Sequence, residues 1–384
     1  LSRSKDSQPT LVVNGYNSIH GGGLRIFAGF VRFLGSDFQA DISASPVILF
    51  SPRHSASLIQ EARELGLKAV IFRPTNIKAL DQIILYFLYL PIRSIIKRGS
   101  ETLINLGDFI VPFARRQIYY FDWLYAVTDA SDVWKQMSLR QRAGRWIKRI
   151  NIRALIGTPK VVTVQSNFVA DQMTRALKCR TPVIVPCPVD EAVQTAKQPE
   201  APKAGCATPT HRFFCLSSFA THKNVAILFD TAILLKNRGI PAQIIVTLDQ
   251  QDGEVRTFFD RINAEGLSEI VVNAGILEFE EINDWFLACH ALLLPTKLES
   301  FGLPYVESLA RGRPVLTSDL PFAHEICKTG TMFFDPDDPS DIAATIEEFA
   351  NGGGVEIDDA QVKKIVQDCH PGHVYSKICS LAYF

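Results

Sequence analysis

LLLPTKLESFGLPYVESLARGRPVLTSD, from Leu292 to Asp319, is the stretch that decides how this chain is read. An apolar run ends at Pro295, a loop carries Glu299, and Gly302 leads into a helix whose first position is expected at Pro304, where an absent amide hydrogen costs nothing. The free amides near Gly302 and Leu303, together with the positive end of the helix dipole, favour an anion such as a diphosphate, and glycine permits close approach. Glu299 then lies in the loop and Glu307 about one turn inside the helix. A carboxylate there is repelled by phosphate but suits a ribose diol. Both glutamates also suit the positive end of a helix without any ligand.

Outward from this segment, short apolar runs alternate with helix-like stretches in both directions. Downstream of residue 211 we expect strands at Arg212 to Leu216, Ala242 to Leu248, Ile270 to Asn273, Ala291 to Pro295 and Pro314 to Ser318. Helices are expected between them at Val225 to Asn237, Gly253 to Ala264, Glu280 to Cys289 and Pro304 to Arg311. Upstream, TLVVN at Thr10 to Asn14 runs into NGYNSIHGGGLRIF, read as a strand, a glycine-rich turn and a helix from about Leu24 to Leu34. Further runs at Val47 to Phe50, Lys68 to Phe72, Thr102 to Asn105, Gln117 to Phe121, Lys160 to Gln165 and Thr181 to Val185 alternate with helices at Ser57 to Leu65 and Asn167 to Leu177. This is the pattern of parallel sheets covered by helices. Between them EAVQTAKQPEAPKAGCATPTH has no apolar periodicity and marks a linker. The expected organisation is an N-terminal domain over 1–189, a linker over 190–210, a C-terminal domain over 211–368, and a segment at 369–384 packing back on the N-terminal domain. The fold class is α/β: two Rossmann-like doubly wound domains facing a central cleft, with ligands at the carboxyl ends of the strands.

Composition is globular, with 47% hydrophobic residues and 40 basic against 40 acidic side chains. That balance gives no electrostatic reason to expect nucleic acid as a partner. The eight cysteines include no CxxC pair and no zinc spacing, and read as reduced thiols of a cytoplasmic protein. No basic-then-apolar leader opens the chain, so secretion is not expected. IILYFLYLPIRSII, Ile83 to Ile96, is interrupted by Pro91 and Arg93 and too short to cross a bilayer. With Arg93, Lys97 and Arg98 it suits peripheral contact with the inner face of an anionic membrane; a buried helix followed by a basic turn is the other reading.

The Leu292 to Ile346 region resembles the signature of the family-four glycosyltransferases, glycosyl transferases group 1, of the GT-B fold. It carries two glutamates with FG between them, then SFGLP, ESLARGRPVLTSD and HEICKTGTMFFDPDDPSDIAATI. CLSSFATHKNVAILFDTA is similar to the family's first C-terminal strand and loop, with Lys223 where a lysine contacts the diphosphate. Ser218 stands where many members have arginine. His20-Gly21-Gly22-Gly23 resembles the family's glycine-rich loop, VVTVQSNFVADQMTRAL its strand and helix before the interdomain crossing, and VIVPCPVD its exit to the linker. In QIYYFDW, Asp122 occupies the place where a catalytic histidine is expected; His20 and His54 lack a supporting motif.

The resemblance implies a retaining transfer of a hexose-type sugar from a nucleotide diphosphate sugar to a saccharide or lipid-linked saccharide hydroxyl, in surface polysaccharide or glycolipid synthesis, with no cofactor and no metal. The implied catalytic residues are Glu299, Asp122 and Lys223. The implied donor-binding residues are Gly22, Gly23, Ser218, Lys223, Ser300, Phe301, Gly302, Leu303 and Glu307. Glu299 is assigned to the sugar and Glu307 to the ribose. No DxD-like pair sits in a convincing position, and the aspartates from Asp335 to Asp338 read as a surface turn. A dinucleotide-dependent dehydrogenase is disfavoured because GGG after the first strand lacks the GxGxxG spacing. A catalytically silent nucleotide- or sugar-binding protein remains the alternative, because both Ser218 and Asp122 depart from the family pattern.

Overall fold

The computed structural model describes residues 9–19, 21–38, 45–97, 100–128, 131–135, 137–189 and 210–383. The sequence candidate His20, Arg98 and all of the expected linker but residue 210 lie outside the described residues. The chain divides into two units: Leu1–Asp129 with Ser138–Asp190 and Asp368–Phe384, and Ala130–Met137 with Glu191–Gln367.

The first unit is built on a seven-stranded parallel sheet of β1 (Thr10–Asn14), β2 (Val47–Phe50), β3 (Lys68–Ile71), β4 (Glu101–Asn105), β5 (Gln117–Tyr120), β6 (Val161–Val164) and β7 (Val183–Ile184), in the order β3-β2-β1-β4-β5-β6-β7. The central strands are apolar along their length because helices cover both faces and no side faces water. Register is fixed at the carboxyl end by polar groups. Asn14 lies opposite Asn105, and the Asn14 amide donates to Asn105 Oδ1 (2.8 Å) and to the Tyr86 hydroxyl (3.1 Å). Asn105 Nδ2 in turn donates to Gln117 Oε1 (2.9 Å) and to the Phe109 carbonyl (2.8 Å). A one-residue slip would leave these buried amides without partners.

The glycine run is not the turn expected from its composition. Gly21, Gly22 and Gly23 are the first turn of the Gly21–Ser36 helix. The chain has already turned at residues 15–18, where the Ser18 amide donates to the Gly15 carbonyl (2.9 Å). Gly15 also has to lack a side chain, because a Cβ there would overlap the Phe27 ring. The helix's buried face, which includes Phe27, Phe30, Val31 and Leu34, holds it in place.

The final helix, Pro371–Tyr383, packs in this first unit. The Tyr375 hydroxyl donates to the Ile26 carbonyl (3.0 Å), its ring lies 5.2 Å from that of Phe30, and Thr102 Oγ1 donates to the Ala382 carbonyl (3.4 Å).

Pro91 does not interrupt the apolar run around it. Residues Lys78–Ile96 form one continuous helix whose middle, Leu85–Tyr89, is a π-helical turn. The wider turn satisfies the Leu90 amide at the Leu85 carbonyl, just before the proline whose ring would crowd an ordinary α-turn. The helix is not buried as a whole either. Asp81, Leu85, Tyr86, Leu90 and Pro91 face inward, while much of the rest is exposed.

The second unit repeats the same strand order with six parallel strands, β10-β9-β8-β11-β12-β13. They are β8 (His211–Cys215), β9 (Ala242–Val246), β10 (Val271–Asn273), β11 (Ala291–Leu294), β12 (Val315–Ser318) and β13 (Thr331–Phe334). Connections turn outward in opposite directions from β8 and β11, so the switch point of the sheet lies between these two strands, where doubly wound folds take their ligands.

Candidate functional site

Lys223 and Glu299 meet at that switch point. Lys223 closes a short 3-10 turn, Thr221–Lys223, after β8, and Glu299 sits in the loop after β11. Lys223 Nζ donates to Glu299 Oε1 at 2.5 Å, with both side chains largely shielded. The loops are clamped by the His222 carbonyl, which accepts from Thr296 Oγ1 (3.1 Å) and from the Lys297 amide (2.7 Å). Asn224, left-handed at φ 56°, turns the chain into the following helix and donates its side-chain amide to the Pro336 carbonyl (2.7 Å). The expected Val225 to Asn237 helix accordingly begins as a 3-10 turn and becomes α-helical over Leu228–Arg238.

The Leu303–Ala310 helix supplies the other wall. Leu303 is its first residue and Pro304 its second, one position later than expected, because Gly302 takes the N-cap in a left-handed conformation (φ 80°). Gly302 is also required by packing, since a Cβ there would overlap the Tyr305 ring. Tyr305 anchors the helix start: its hydroxyl bonds to Thr317 Oγ1 (2.9 Å), which donates to the Leu294 carbonyl (2.9 Å), joining β11 and β12 beneath the loop. Burial, and then the nearby charge of Glu299, hold the Tyr305 phenol well above its usual range. Glu307 is 1% exposed, and Ser300, Phe301, Gly302 and Leu303 form the continuous stretch leading to it. An anion at this helix start would meet uncommitted amides, the helix dipole and Lys223 together. Ser218 lies on the exposed part of the loop after β8, its carbonyl accepting from Ser217 Oγ (3.3 Å).

The aspartates after β13 are turn residues: Asp338 caps the Pro339–Ala350 helix and Asp335 accepts from the Asp337 amide (2.9 Å). Asp337 pairs with Lys297, a contact with no local sequence signal. Among the described residues no group of three or more histidine, cysteine, aspartate or glutamate side chains is placed to hold a metal ion.

In the first unit Asp122 follows β5, and Gly22 and Gly23 follow β1. Surrounding protein, and then the charge of Asp108, push the Asp122 carboxyl up to about 7, with Lys148 pulling it back. The residue nevertheless reaches solvent, which shields part of this effect. Sequence reading missed the neighbours responsible. Lys148 Nζ pairs with Asp108 Oδ2 (2.7 Å) and lies over the Trp123 ring at 4.6 Å. His54 is a core strut, its ring bonded to the Ser51 amide (2.9 Å) and the Ser18 carbonyl (2.9 Å).

Two doubly wound parallel sheets, each with its switch point at the carboxyl ends, define the two-domain α/β class known as the GT-B fold. Solved structures of that shape cover nearly the whole chain. The glycosyltransferase of Rickettsia africae ESF-5 matches with a TM-score of 0.69 at 14% identity, covering 98% of both chains. HepE of Anabaena, solved with UDP-glucose, matches at 0.63 and 14% identity, covering 97% of each. Residues 197–364 match the model of the family glycosyl transferases group 1. Among curated relatives it is similar to the O-antigen chain mannosyltransferase RfbU of Salmonella typhimurium, at 36% identity over 62 residues. That alignment covers 16% of this chain and spans only 18% of the relative's length.

Proposed function

We propose that the chain transfers a hexose-type sugar from a nucleoside diphosphate sugar to a hydroxyl of a saccharide or lipid-linked saccharide, with retention at the anomeric carbon. The observation that carries this reading is the Lys223–Glu299 pair at the sheet's switch point, beside the helix that buries Glu307. Lys223 and the amides at Gly302 and Leu303 take the diphosphate, Glu307 the ribose, and Glu299 the sugar hydroxyls. The bond from the anomeric carbon to the phosphate oxygen breaks, the bond to the acceptor oxygen forms on the same face, and the acceptor proton passes to the departing phosphate. Stabilising that leaving group is electrostatic work suited to a fixed cation and preorganised amides, with no metal or other cofactor. Asp122, its carboxyl pushed up toward neutrality by surrounding protein and then by Asp108, orients an acceptor or donor hydroxyl.

The mannosyltransferase activity named for RfbU, and the UDP-glucose bound to HepE, support a role in polysaccharide or glycolipid synthesis. The seven described cysteines are free thiols, which suits a cytoplasmic site of action. A thermal-shift panel of UDP, GDP, ADP, CMP and their sugar conjugates tests the reading, since a ligand of the folded state raises its melting temperature. One diphosphate should give a clear shift that is lost in Lys223→Ala. Binding without turnover against any acceptor would instead indicate the silent-protein alternative, which Ser218 favours by leaving one fewer cation at the loop. No shift with any nucleotide would sink the proposal.

A further inference from the structure

We infer that the outward face of the Lys78–Ile96 helix docks on an anionic lipid leaflet, the helix lying in the plane of the interface. Ile77, at its N-cap, and Leu80, Ile83, Phe87, Leu88, Ile92, Ile95 and Ile96 are each at least 40% exposed and recur every three or four residues along the helix. This stripe is roughly 28 Å long at the usual helical rise. The opposite face is committed to the protein: Leu85, Tyr86 and Leu90 belong to a core cluster with Val12, Leu49 and Leu103. At 19 residues the helix is, by length and composition, long and apolar enough to cross a bilayer, unlike the shorter interrupted run expected from the sequence, but these core contacts hold it in the domain and leave its outer face available.

Charge selects the occupant. From Ile71 to Lys97 the exposed ionisable residues are Arg73, Lys78 and Lys97, all cationic, while the only acid, Asp81, is buried and accepts from the Thr75 amide (2.8 Å) and hydroxyl (2.6 Å). Arg93 is already paired with Glu101 (2.8 Å). Lys97 borders the same groove as Leu88, Ile92 and Ile96, so apolar insertion and basic attraction act together at that end of the helix, as an anionic leaflet requires.

Two further features fit hydrocarbon. An open groove of about 480 Å³ runs beside the stripe between Phe72, Pro74, Ile84, Leu88 and Ile92. At the helix's far end Phe113 is 72% exposed in a left-handed backbone (φ 63°), next to Ile95 and Arg115. A bulky aromatic held outward at the expense of backbone strain points to a contact outside the chain.

The inference does not rest on the proposed reaction, and its test uses no substrate. Flotation of the full chain with vesicles of phosphatidylcholine, with and without phosphatidylglycerol, is expected to give binding on the order of a hundredfold tighter to the anionic vesicles from three cations, and to weaken at high salt. The double variant Leu88→Glu with Ile92→Glu, folded by its thermal melt, should lose binding by a similar factor. The inference is overturned if the wild type does not float with anionic vesicles at low salt, if neutral vesicles bind it equally, or if the double variant binds undiminished. It is also overturned if light scattering finds a dimer that the double variant dissolves while vesicles capture nothing, which would assign the face to a second copy.

Discussion

At the switch point of the C-terminal sheet, between β8 and β11, a cation faces a carboxylate. At the equivalent point of the N-terminal sheet, between β1 and β4, stand Asn14 and Asn105, with Tyr86 and Gln117 bonded to them. The topology is the same and the chemistry is opposite. Neutral amides with two or three good partners form a closed network that holds register, and a ligand would gain little by opening it. A lysine and a glutamate can each be offered a better partner. The N-terminal unit instead places its adjustable charges one strand over, at Asp122, Asp108 and Lys148. Strand order locates the place where ligands are bound; the side chains at that place decide whether one is.

The contrast can be broken first at Lys223. Lys223→Ala is expected to lower turnover about a hundredfold to a thousandfold while the protein still melts cooperatively, measured with saturating donor and acceptor. The matching change in the other sheet, Asn105→Ala, should do the reverse. Urea unfolding should lose roughly 2 to 4 kcal/mol as buried partners are stranded, with donor affinity unchanged by calorimetry. A loss of donor affinity in Asn105→Ala, or of stability alone in Lys223→Ala, would dissolve the distinction.

Smaller effects sharpen it. Glu307→Gln keeps volume but removes charge, and about tenfold weaker nucleotide binding with an unchanged acceptor KM is expected from losing a charged acceptor of ribose hydrogen bonds. Asp122→Asn should act mainly on pH dependence. A carboxyl pushed up to about 7 is protonated below that pH and charged above it. If the carboxylate form is the useful one, transfer rises through neutrality in the wild type and that limb flattens in the variant. A variant with the wild-type profile would leave Asp122 as a turn residue.

Most strand positions were readable from the apolar runs, and the Asn167–Leu177 and Gly253–Ala264 helices have the bounds expected of them. The Leu139–Leu155 helix was not readable. Its large apolar side chains include the exposed Leu139, Trp146, Ile147 and Ile150, so its periodicity does not describe a buried stripe. Lys148, which shapes the surroundings of Asp122, was lost with it. Glycine and proline misled for a related reason. GGG looks like a turn until residues 15–18 have made the turn already, and Pro91 looks like a break until the preceding turn widens to receive it. Lys223, Glu299 and Gly302, singled out in the sequence because a diphosphate would narrow the choice to cations and bare amides, do lie on neighbouring loops at the C-terminal switch point. A sugar hydroxyl accepts many partners, so the N-terminal residues carried less information.

The ion pair of Lys223 with Glu299 makes the resting site its own counterion. On the proposed reading, an arriving diphosphate displaces a carboxylate rather than meeting a bare cation, so its affinity reports the difference between two ion pairs. A nucleotide alone takes the lysine and leaves Glu299 shielded without its cation. A nucleotide sugar brings hydroxyls that the glutamate can then hold, and the exchange closes. The site would thus distinguish the loaded donor from the spent one by whether every charge ends with a partner, a form of selection that needs no difference in shape.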